Sequence, residues 1–161
     1  MIRIHHARFG GRQSGIGMLE VLIAVLVVSI GFLGMAALQA KALSTNNSAM
    51  ARSMATVASY SMLDAMRTDL TATEAGAYNT ASPMAANACP AQGTSLSSVQ
   101  LNQWCSQLGA ALGATASTTG SITCSNTGLC TITITFDDSR AGKAGTTGST
   151  GTQTVKTVAQ L

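Results

Sequence analysis

The chain has 161 residues, of which 4% are aromatic and 9% charged, a size that suits one small domain plus an anchor. Its net charge of +3 does not mark a nucleic-acid binder: Arg3, Arg8 and Arg12 all precede Gly15, and beyond them basic and acidic residues cancel. The only histidines are His5 and His6, so no Ser-His-Asp or Cys-His site can form later in the chain unless another chain supplies the base.

Residues 1–15 read as a leader, and His5 and His6 as solvated leader residues rather than a metal pair. From Ile16 to Leu38 the sequence is apolar, and Glu20 is its one formal charge. At ~1.5 Å per residue this stretch spans the ~30 Å hydrocarbon core of a bilayer as a helix. Basic residues ahead of the span place the N-terminus on the cytoplasmic side and the rest outside. A carboxylate near the middle of such a span costs about 2.5–3.5 kcal/mol on insertion scales, so an intramembrane acid points to function and needs a partner. A cut after Gly15 would create that partner, an α-amine on Ile16, within the same chain or between neighbouring chains. A secretory signal peptide is the first rival, but its apolar region is normally ~7–15 residues and uncharged, and Leu38-Gln39-Ala40 is a poor cleavage match. A plain single-span anchor is the second.

The basic leader ending in Gly15, Glu20 as the fifth residue after it, and the apolar run beyond resemble the class III signal of type IV pilins and type II secretion pseudopilins. Leu19-Glu20-Val21-Leu22-Ile23-Ala24, the segment Gly31-Phe32-Leu33-Gly34-Met35-Ala36-Ala37-Leu38-Gln39, and Ala65-Met66-Arg67 look most like PilV-type minor pilins. Ile16 and Gly17 stand where major pilins usually carry Phe and Thr. The resemblance covers roughly residues 8–75. It implies cleavage after Gly15 by a prepilin peptidase and N-methylation of Ile16. It also implies pairing of Glu20 with the Ile16 amine of a neighbouring subunit. The implied fold is α+β: a long N-terminal α-helix, membrane-spanning in its first half, packed on a small antiparallel β-sheet head. The implied divisions are leader 1–15, membrane and assembly half 16–38, periplasmic half 39–71 and head 72–161. The implied partners are the peptidase, other minor pilins, the major pilin, the inner-membrane assembly platform and lipid; neither a cofactor nor nucleic acid is expected. The implied path runs from the inner membrane, with the head periplasmic, into the pilus. Two other readings stand beside this one, a minor pseudopilin of type II secretion and an adhesive secreted or anchored binding module.

Gly31 and Gly34 lie inside the span, where a helical glycine costs about 1 kcal/mol relative to alanine. They permit close helix packing or local melting in a filament, or they reflect the frequency of glycine in membrane helices; the sequence leaves both open. Gln39 to Leu70 has no Gly or Pro and extends the helix. Leu43, Met50, Met54 and Val57 share one face, and Leu63, Met66 and Leu70 lie nearly opposite. One stripe can pack on the head while the other meets a neighbouring subunit; imperfect packing without such a division is the alternative. The methionines read as adaptable packing. Asp64 and Arg67, at i and i+3, read as a surface pair.

Thr71 to Thr94 contains both prolines, Pro83 and Pro90, and reads as a long connector. Ser97 to Leu112 follows as a short helix with Val99, Leu101, Trp104, Leu108 and Leu112 on its apolar face and Ser97 or Ser98 as cap. Trp104 is expected in the core. Ser121–Cys124 and Leu129–Phe136 read as a hairpin, with Ile132, Ile134 and Phe136 alternating with threonines across a Ser-Asn-Thr-Gly turn. Gln153 to Ala159 is expected to return as a last strand. Arg140 to Gly145 suggests a phosphate loop, but Ala144 follows Lys143 and the upstream glycine is missing. Asp137 and Asp138 alone do not make a Ca²⁺ cage.

Cys89, Cys105, Cys124 and Cys130 all fall in the part expected to be exported, and no C-x-x-C pair suggests zinc. Three disulfide pairings are possible. The favoured one joins Cys124 to Cys130 across the hairpin and Cys89 to Cys105 between loop and helix. With so few aromatic residues the head has a thin core, and small domains of this kind often need such staples.

Overall fold

The computed structural model describes residue 15 and residues 17–139 and 151–161. Leader residues 1–14, Ile16 and residues 140–150, which include the Arg140–Gly145 segment, lie outside the described residues. The chain divides into two compact units, Met1–Ala40 and Lys41–Leu161. Among the described residues the elements run in the order α1 (Met18–Thr68), α2 (Leu70–Glu74), β1 (Met84–Ala85), α3 (Leu96–Leu112), β2 (Thr119–Cys124), β3 (Leu129–Asp137) and β4 (Thr152–Gln160).

The first unit contributes the opening part of α1. Its apolar side chains are exposed throughout, and one 18-residue window of α1 has a mean hydropathy of 2.8 with none of it buried. The helix is long and apolar enough to cross a membrane. Ser29 Oγ donates to Val25 O at 2.7 Å, so the hydroxyl inside the run is satisfied within its own helix.

The second unit is a sheet backed by helix. β1, β2, β3 and β4 lie in chain order, each antiparallel to the next. The β2–β3 hairpin runs in register from Thr119↔Thr135 to Cys124↔Cys130. Its turn closes with Ser125 N donating to Leu129 O at 2.9 Å, and Gly128 takes φ +81°, where a side chain would be strained. Cys130, Ile132, Ile134 and Phe136 point inward from β3, as the two-residue alternation of apolar side chains and threonine predicts. They meet Ala55, Ala58, Met62, Leu63 and Met66 of α1 and Trp104 and Leu108 of α3 in one core cluster. The overall layout, a long N-terminal apolar helix followed by a four-stranded antiparallel sheet, is α+β and matches the pilin fold.

Several local expectations change. The long helix ends at Thr68, and Leu70 opens α2, although neither Gly nor Pro marks the break. Thr73 Oγ1 shares its proton between Met66 O at 3.1 Å and Asp69 O at 3.0 Å, so one carbonyl near the end of the first helix is satisfied from the next. The connector is not unstructured, because Met84 and Ala85 pair with Gly120 and Thr119 to form β1. The α3 cap is Ser95, not Ser97 or Ser98: Ser95 Oγ accepts from Ser98 N at 3.3 Å. Strand β2 begins two residues earlier than the alternation suggests, at Thr119.

Candidate assembly site

Glu20 lies in the first turn of α1, where backbone N–H groups lack intrahelical partners and the helix dipole favours an anion. Glu20 N donates to Gly17 O at 2.9 Å. Its side chain is exposed, surrounded along the helix by Met18, Leu19, Val21 and Leu22, all exposed as well. It forms no ion pair or side-chain hydrogen bond among the described residues. Gly15 is exposed and non-helical, and the helix starts only at Met18. Gly15, the residue ahead of the expected cut, therefore lies outside the helix. Ile16, the expected methylation and pairing residue, lies outside the described residues.

Gly31 and Gly34 sit within continuous helix. A Cβ at either position would meet nothing within 4 Å. Among the described residues no neighbour demands glycine there, so the helix bears the propensity cost at both positions without packing against them in return.

Further along α1 the two predicted stripes separate. Leu63 and Met66 are fully buried, joined by Ala55, Ala58, Ser59 and Met62. Leu43, Met50, Met54 and Val57 stay exposed, Met50 at 60% and Val57 at 64%. Leu70 departs from its expected stripe and is exposed. Asp64 and Arg67 form the expected exposed pair at 2.7 Å.

Both disulfides form with the favoured pairing, Cys89–Cys105 and Cys124–Cys130, and no described cysteine is free. The first ties the connector to α3, where Asn102 Nδ2 also donates to Pro90 O at 2.7 Å. Trp104 is 2% exposed, and its Nε1 donates to Ala58 O at 3.0 Å, locking α3 to α1. Asp138 accepts from Ser48 Oγ, and Asp137 Oδ1 accepts from Ser139 N at 2.8 Å, so each carboxylate has a structural hydrogen bond. Among the described residues no group of three His, Cys, Asp or Glu side chains could hold a metal.

Two features escaped the sequence reading. Tyr78 is fully buried and its hydroxyl, with one proton to share, lies within hydrogen-bond reach of Asp69 Oδ2 at 3.1 Å and of Gln100 Oε1, joining the connector to the α1–α2 junction and to α3. Burial and the Asp69 carboxylate push its hydroxyl pKa up to about 12. Gly120 lies so close to Trp104 and Leu108 that an added Cβ would clash with both. A shallow cleft of about 140 Å³ between α1 and α3 is lined by Ser61, Met62, Ala65, Trp104, Gln100, Gln103 and Gln107. It contains no side chain suited to acid–base chemistry near neutral pH.

Compared with family models, curated proteins and solved structures, the chain matches none.

Proposed function

We propose that the chain is a structural subunit, a PilV-like minor pilin that enters a type IV pilus or primes its assembly with other minor pilins. On this reading it is a substrate of prepilin peptidase, cut after Gly15 and methylated at Ile16, and not an enzyme itself. It waits in the inner membrane with its head in the periplasm before moving into the filament.

The observation that carries this reading is an exposed carboxylate, Glu20, in the first turn of a helix apolar enough to span a membrane, with no partner among the described residues. Two separate charges in lipid are each unfavourable, and pairing Glu20 with an Ile16 amine on a neighbouring chain offsets part of both penalties. In the second unit the exposed stripe Leu43, Met50, Met54 and Val57 offers an apolar surface to a neighbouring subunit, and in the first unit the open positions at Gly31 and Gly34 allow another helix to approach closely.

Glu20→Ala tests the pairing. The variant should reach the membrane in normal amounts and be depleted from sheared pili or tip complexes by at least about tenfold, as expected for a charge interaction of roughly 1.4 kcal/mol or more. Wild-type abundance of the variant in sheared pili contradicts the reading.

A further inference from the structure

The two edges of the sheet differ. One is closed by β1, only two residues long. The other is β4, nine residues long and paired with β3 in one unbroken register from Leu129↔Gln160 to Asp137↔Thr152. β4 has no bulge, no proline and no glycine, and it ends the strand order, so no further described strand lies beyond it. From Gln153 to Gln160, at ~3.3 Å per residue, roughly 26 Å of backbone donors and acceptors lie along the side that pairs with no further described strand. Its central residue, Lys156, is exposed and makes no ion pair or hydrogen bond among the described residues. Thr154 and Val158 flank it on the same exposed face.

We propose that the free edge of β4 receives an extended segment of a partner protein, one that carries a carboxylate opposite Lys156. Strand addition would supply affinity through main-chain hydrogen bonds, and the side chains at alternate positions would supply selectivity. The charge decides between occupants. A second copy using the full antiparallel overlap would set Thr152 against Gln160 and Lys156 against Lys156, and like charges directly opposite destabilise a strand pair. Registers that avoid this contact leave part of each strand unpaired. A lone lysine in the middle of an otherwise uninterrupted edge therefore opposes self-pairing, and the same ammonium favours a strand with an acid at the facing position.

The test uses the full chain in detergent and a blocked nine-residue peptide of alternating threonine and valine with glutamate at its centre, alongside a twin with lysine there. Anisotropy gives the affinity of each peptide, and hydrogen exchange read by mass spectrometry locates the contact. The glutamate peptide should slow exchange over residues 152–160 and bind roughly three- to tenfold more tightly than its twin, and Lys156→Glu should reverse that order. Lys156 is exposed, so the variant should keep the wild-type fold, which circular dichroism checks. The proposal is overturned if neither peptide protects residues 152–160, if the preference survives the charge reversal, or if the protein alone self-associates through this edge.

Discussion

Gly120→Ala probes the packing that holds the head together. A Cβ at position 120 would lie 2.6 Å from Cη2 of Trp104, 2.7 Å from its Cζ3 and 2.7 Å from Cδ1 of Leu108. Those distances are far inside van der Waals contact, so something must move. Leu108 can shift its terminal methyl, but Trp104 is pinned at its other end by the hydrogen bond from Nε1 to Ala58 O. Tilting the indole weakens a buried bond worth about 1 kcal/mol. Moving α3 off the sheet opens the core instead. Overpacking of this kind costs about 1–3 kcal/mol, and with the strained hydrogen bond the expected loss is about 2–4 kcal/mol. That is a large part of the 5–15 kcal/mol typical of a domain. The assay is urea unfolding of the full chain in detergent, read by fluorescence of Trp104, the only tryptophan. Adding Trp104→Phe, followed by circular dichroism, should partly relieve the clash, so the double variant should lose less than the sum of the single losses. A Gly120→Ala loss below about 0.5 kcal/mol, or strict additivity, would refute the proposed contact.

The disulfides should matter according to the loops they close. Breaking Cys89–Cys105, with a sequence separation of 16, should cost about 3 kcal/mol, and breaking Cys124–Cys130, with a separation of 6, about 2 kcal/mol. Denaturation of the paired serine variants checks both values, and equal stability with and without the bonds would contradict them. Tyr78 links stability to pH at the alkaline end. Its pKa is raised in the folded state, so its contribution is complete below pH 10 and is lost as pH rises from about 10 to about 12. Tyr78→Phe should flatten the fall of the urea midpoint across that window; parallel profiles for the two proteins would refute the assignment.

The span, the hairpin and the disulfides were legible because each is written in local chemistry. A long apolar run, Ile132, Ile134 and Phe136 alternating with threonine, and cysteines flanking a turn need no tertiary information. The choice between the stripes of α1 was not legible, because the buried face relies on Ala55, Ala58 and Ser59, small side chains with little hydrophobic signal that let the helix approach closely. The break after Thr68 depends on Thr73 reaching back to Met66, and β1 depends on Gly120 and Thr119 arriving from over thirty residues downstream. Gly120 reads as an ordinary strand glycine until α3 docks over it. At the candidate site, Glu20 stood out because a charge in an apolar run is costly wherever the chain folds. On the proposed reading its partner is an amine that processing would create, and the unprocessed sequence would not display that pair.

The mass of the mature N-terminus, measured on protein from native membranes, tests the central claim most directly. The account predicts a chain that begins at Ile16, carries one added methyl group, and has Glu20 as its fifth residue. A chain beginning near Lys41, or one still beginning at Met1, would contradict it.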